Sequence, residues 1–216
     1  MIDIIFFAAI AAFIGFRVYN VLGRKDFEPD QAGRKMATVP HAEKIIEATY
    51  VELKPSDDAD LEARFGKKLA ESIREIRKYD PAFAAETFLN GARRAFEIII
   101  KAFASGDKAT LQPLLSKEVY DKFASEMDRR EKTEEIEETT LVAIVSSTIK
   151  DIVMNKKYAR IAVNIVSEQI NIIRDKQGKI IEGNPSQLDK IEEIWTFGRD
   201  VSSTNPSWEL LGTSAA

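Results

Sequence analysis

YARIAVNIVSEQINIIR, from Tyr158 to Arg174, is a long β-type run whose reading decides the fold. Its β-branched and apolar residues recur every second position, the period of a strand with one face buried. Ala159, Ile161, Val163 and Ile165 share one face, whereas Val166, Ile170 and Ile172 share the other. Side chains alternate strictly along a strand, so this change of parity predicts a bulge or sharp bend near Ser167.

Further strand-like runs flank it: Leu141 to Val145 and Thr148 to Met154 before, Ile191 to Arg199 and Trp208 to Gly212 after. The tetrapeptide Asp175-Lys176-Gln177-Gly178 signals a hairpin turn, and Gly183-Asn184-Pro185 and Asn205-Pro206 are further breaks. Upstream the period becomes helical. Between Ala84 and Ser105, Phe88, Ala92, Ala95, Phe96, Ile99 and Phe103 lie on one face, widened by Leu89, Ile98 and Ile100. Gly106 stops this helix and Asp107 caps a short one running through Leu115. Ser116 caps a third, with Val119, Tyr120, Phe123 and Met127 on its apolar side. The charged run Asp128 to Glu138 reads as a solvated helix end and turn. Helices first and a bent antiparallel sheet afterwards describe an α+β domain whose sheet wraps a long helix and encloses a pocket.

Ahead of that domain, Leu61, Phe65, Leu69, Ile73, Ile76 and Tyr79 fall at spacings of four and three, the stripe of an amphipathic helix over 58–79. Its other faces carry Arg64, Lys67, Lys68, Arg74, Arg77 and Lys78. Two readings stand. The stripe packs on the domain, or Phe65, Leu69 and Ile73 meet anionic lipid while Lys67, Lys68, Arg74, Arg77 and Lys78 face its headgroups. Residues 23–57, with Gly23, Pro29, Gly33, Pro40 and Pro55, read as a linker.

The first 22 residues differ from the rest. Ile4, Phe6, Phe7, Ile10, Phe13 and Phe16 belong to an uncharged run, IIFFAAIAAFIGF, extended by Val18, Tyr19, Val21 and Leu22. As a helix from Ile2 to Leu22 it measures roughly 30 Å, the thickness of a bilayer core. A cleaved signal peptide or a buried soluble helix would also use such a run, but a signal needs positive charge ahead of it, and here Arg17, Arg24 and Lys25 follow. We therefore expect a single-pass anchor over 1–22, with the N-terminus outside and the domain in the cytoplasm.

Composition removes much chemistry. The 216 residues carry 31 Lys and Arg against 35 Asp and Glu, a net charge of −4 that argues against direct nucleic-acid binding. The absence of Cys excludes disulfides, thiolate metal sites and a cysteine nucleophile, and the lone His41 lies in the linker. No phosphate loop, metal-ligand cluster or nucleophile triad is present, so neither a cofactor nor a metal is expected.

The string FLNGARRAFEIIIKAFASGDKATLQPLLSKEVYDKF, Phe88 to Phe123, resembles the TIM-forty-four-like family, as do EIWTFGRD from Glu193 to Asp200 and then Asn205-Pro206 and Trp208. The match runs from about Asp80 to Thr213, placing the family domain at 80–216. It implies a cone of nuclear-transport-factor-two-like type and a non-enzymatic adaptor at a bacterial inner membrane. The implied partners are anionic lipid and proteins of translocation or membrane-protein assembly, with a pocket open to an apolar or lipid ligand. The mitochondrial members carry a longer region that engages a chaperone, and with only about 35 linker residues here chaperone tethering is not carried over. Phe96, Trp195, Phe197 and Glu168 are the candidate pocket residues. A carboxylate such as Glu168, buried in a cone, would serve an isomerase-like enzyme or small-molecule binder, the alternative function; a ribosome-associated membrane factor is a third. Removal of residues 1–22 should move the protein from the membrane pellet to the high-salt soluble fraction, and full retention in the pellet would contradict the anchor.

Overall fold

The computed structural model describes residues 58–216; the expected anchor and linker lie outside the described residues. Helices α1 (Asp58–Arg77), α2 (Ala85–Ser105), α3 (Lys108–Leu111) and α4 (Lys117–Thr133) precede strands β1 (Ile136–Asn155), β2 (Tyr158–Arg174), β3 (Ile180–Gly183), β4 (Asp189–Asp200) and β5 (Glu209–Ala215). All pairings within the sheet are antiparallel. Its order is β1-β2-β4-β5, with β3 paired to β2 beyond the end of β4.

Helix boundaries follow local chemistry. Gly106 takes the left-handed conformation (φ 74°) that ends α2, and its backbone N–H donates to the carbonyls of Ala102 and Phe103. The Asp107 side chain accepts from the Thr110 N–H to start α3, and Ser116 accepts from Val119 N–H to start α4. The run Asp128 to Glu138 is structured more fully than its charge suggests: α4 continues through it to Thr133, Glu134 closes the helix at φ 55°, and β1 begins at Ile136.

The sheet departs from expectation in two ways. Leu141 to Val145 and Thr148 to Met154 belong to one strand of 20 residues rather than two. The bulges also lie on β1 and not on β2. Register shifts leave Val142, Val145 and Lys150 as extra residues on β1, while β2 pairs with β4 without a break from Tyr158↔Asp200 to Gln169↔Asp189. Each extra residue lengthens one strand relative to its partner and bends the ladder. One bulge sits opposite Val166 and Ser167, the place expected, but on the neighbouring strand.

Helix α2 lies across the inner face of this sheet. Its buried residues Ala85, Phe88, Ala92, Phe96, Ile99 and Ala102 are spaced three or four apart. Phe88 meets Phe197 edge-on at 6.0 Å and Trp208 at 4.8 Å, and Phe96 meets Trp195 at 4.7 Å. Fully enclosed Phe96, Phe197, Ile161, Val163 and Ile165 form the centre of the core. On one flank α1 packs against β1, with Ala70, Ile73 and Ile76 at zero exposure. On the other, β5 is tied to the segment before α4, where Leu210 N–H donates to the Leu114 carbonyl and Ser116 N–H to the Leu210 carbonyl. Trimming Phe96 to Ala removes the ring on which Trp195 rests and should cost about 3–5 kcal/mol, measured by urea unfolding followed through tryptophan fluorescence.

Candidate functional site: the inner face of the sheet

Register arranges the inner face in rows that change character along the strands. Ile152, Ile161 and Phe197 form one row, and Ile149, Val163 and Trp195 the next, both apolar and covered by α2. The following row reads Ser147, Ile165 and Glu193, and beyond it β2 contributes Ser167, Gln169 and Asn171. These three polar residues are buried, and the Gln169 amide donates to Ser167 Oγ at 2.8 Å. Arg93 of α2 reaches Ser147, donating from Nε to Oγ at 2.5 Å.

Glu193 is the carboxylate of the row shared with Ser147 and Ile165. It is half-buried, and burial pushes its pKa above the usual carboxylate range, against the opposing pull of the Trp195 indole N–H at 3.4 Å. The residue expected in this role, Glu168, lies on the other face: it is an even-numbered neighbour of Ser167 and Gln169, paired across the ladders with Ala143 and Lys190. The reason is that β2 carries no bulge, so the odd-numbered residues stay on the inner face throughout. Val166 and Ile172 are buried on the outer face instead. A signal for Glu193 was present in the chain, since it shares parity with Trp195 and Phe197.

Beyond the polar rows, an open groove of about 460 Å³ lies among the end of α2, α4 and the start of β1. Its central feature is Arg130. The guanidinium stacks on Phe103 (4.3 Å), donates to the Phe103 carbonyl in the last turn of α2 at 2.9 Å, and pairs with Glu137. Burial raises the Glu137 pKa while Arg130 draws it down. Arg130 was hidden in a charged run, yet the stripe Val119, Phe123, Met127 continues onto it three residues later.

Phe96, Trp195 and Phe197 are core residues whose rings contact one another or α2, and none lines the groove. The basic helix packs by its apolar side. Ile73 is fully buried, Phe65 and Leu69 are partly buried against the core, Lys68 pairs with Asp151, Arg74 with Glu62 and Lys78 with Glu75, and Arg77 donates to the Phe83 carbonyl. The packing alternative for the stripe is therefore the one the burial supports, and Lys67 stays exposed. Among the described residues no group of three or more potential metal ligands converges, and no helix is long and apolar enough to cross a membrane. The inner face offers hydrogen bonds and two carboxyls that burial pushes up, Glu193 and Glu137, a set suited to binding.

Residues 69–215 match the model of the Tim44-like domain. Curated relatives include the probable mitochondrial import inner membrane translocase subunit tin-44 of Caenorhabditis elegans, 25% identical over 150 residues, 67% of this chain and 35% of that protein. The human mitochondrial import inner membrane translocase subunit TIM44 is 24% identical over 155 residues, 69% of this chain and 34% of its own length. The chain thus spans about a third of the length of the curated relatives it matches. Among solved structures, the intermembrane space region of chloroplast protein ARC6 aligns with a TM-score of 0.44 at 12% identity, covering 62% of this chain and 96% of that one. An NTF2-like superfamily protein from Salmonella enterica aligns at 0.38 with 11% identity, covering 62% and 92%.

A carboxyl group whose pKa is raised on folding is harder to ionise in the fold than in the open chain, so its ionised form opposes folding above the ordinary Glu range. Glu193→Gln should therefore raise the melting temperature at pH 7, with the gain shrinking as pH falls below the ordinary Glu range. An equal gain at both ends, in a pH series of thermal melts, would place Glu193 in a solvated setting.

Proposed function

The chain belongs to the Tim44-like domain family, and on that footing we propose that it is a non-enzymatic, membrane-anchored adaptor whose domain binds proteins of translocation or membrane-protein assembly. The observation that carries this reading is the extent of the family match, which runs from the middle of α1 to the end of β5. The interior supports it. Apolar rows filled by α2 and a buried polar cluster make a rigid body for presenting surfaces, and the sequence supplies neither a second His nor any Cys for covalent chemistry. The apolar run Ile4 to Phe16 is the element that would hold the domain at a bacterial inner membrane. With the apolar stripe of α1 packed inward, contact of this helix with anionic lipid would rest on its basic side chains and be salt-sensitive.

A second reading, binding of a small polar or lipid molecule on the inner face, is favoured by Glu193 alone. Photocrosslinking of the full-length protein in intact membranes separates the two. The adaptor reading expects components of translocation or assembly machinery that a version limited to residues 1–57 does not capture. Recovery of the same proteins by residues 1–57 alone would assign partner binding to the anchor and linker and remove it from the domain.

A further inference from the structure

We propose that the first part of α1, Asp58–Phe65, is a hinged latch that opens about Gly66 while the rest of the domain stays folded. Gly66 has φ 76° and ψ 162°, a conformation foreign to helices and open essentially to glycine alone. It divides α1 into two arms. Their arrangement is shown by Glu62 and Arg74, which pair at 3.0 Å although they are twelve residues apart. In a straight helix that separation would be about 18 Å, beyond the combined reach of the two side chains, so the chain bends sharply at Gly66 and brings the first arm toward the second.

The arms are held unequally. The second arm is rooted by Ala70, Ile73 and Ile76, all at zero exposure. Among the described side chains of the first, Leu61 at 1% is the one comparable anchor. The first arm's ties to the rest of the domain include the partly buried Phe65, the Glu62–Arg74 pair and the pair between Arg64 and Glu86, and all four charged residues retain substantial solvent contact. Such surface pairs hold weakly, and a segment with one deep anchor and a backbone hinge opens well below the global unfolding free energy. Glu86 sits in the first turn of α2, so release of Arg64 leaves a carboxylate where the helix N-terminus already favours one. Opening therefore unseats Leu61 and the partly buried Phe65, and it exposes the apolar seat that Leu61 fills.

The location gives this motion a use. The polypeptide enters the domain through this arm, so a pull arriving along residues 1–57 reaches the latch before any other described contact. The latch is independent of the adaptor reading and stands or falls on its own test.

The chain contains no Cys, so single thiols placed in the full-length protein report opening against no background. Leu61→Cys and Ile76→Cys bury their thiols equally deeply, yet the first should react with a maleimide at least tenfold faster under native conditions. Arg64→Glu, which sets like charge against Glu86, should speed labelling at position 61 several-fold and leave position 76 unchanged; adding Glu86→Arg should reverse the effect. A Cβ at Gly66 meets no atom within 4 Å, so Gly66→Ala acts through the backbone alone and should also speed labelling at 61. Hydrogen exchange of the unsubstituted protein guards against damage from the Leu61 change: amides of residues 61–65 should exchange at least tenfold faster than those of 70–76. Equal exchange in the two arms, or labelling at 61 that matches 76 and ignores both Arg64→Glu and Gly66→Ala, would overturn the latch.

Discussion

The contact of Phe88 and Phe96 with Phe197 and Trp195 sets the terms for the rest of the molecule. A helix of 21 residues that is apolar along most of its length must be covered along most of its length, and one sheet does it. A flat sheet would leave the flanks of the helix wet. Three extra residues in β1 shorten its partner relative to it and turn the ladder toward α2, with α1 and α4 closing the two sides. The Arg199 side chain fastens the remaining corner, pairing with Asp80 ahead of α2, donating to the Pro206 carbonyl at 3.3 Å and lying 5.0 Å from the Trp208 ring centre.

Much of this was legible in the chain because helices and strands advertise their buried faces by period. The α2 stripe, the glycine stop at 106, the caps at Asp107 and Ser116 and the 175–178 turn were all visible, as was the order of helices before sheet. What misled was the apolar content of both faces of β2. Val166, Ile170 and Ile172 look like a change of parity, and Glu168 looks like its inward carboxylate. In the fold, β2 runs straight through in register while the inner face turns polar at Ser167, a change that period alone cannot distinguish from a bulge. The short strand β3 went unseen because four residues between two turns carry too little pattern. Gly66 in the middle of the α1 stripe gave no warning either, since the apolar spacing continues across it.

The same gradient governs what the domain can do. Toward Phe197 the inner face is packed solid, and toward Asn171 it carries amides, hydroxyls and the Glu193 carboxyl. Buried polar groups are tolerated where they bond one another, as Gln169 and Ser167 do, and they fix side chains more narrowly than an apolar core would. At the far end Arg130 joins α2, α4 and β1 through one guanidinium, so the wall of the open groove is held by a charge pair and a stacked ring.

The last strand in sequence is also the one that pins the flank beside α4. Leu210 has zero exposure and exchanges backbone hydrogen bonds with the segment before α4, while Trp208 just ahead of it rests on Phe88. During synthesis the helices, and then the long β1–β2 hairpin, emerge well before these partners exist. The nascent domain must therefore wait with one side of α2 uncovered, its Phe88 ring open to chaperones, until residues 208–215 have left the ribosome.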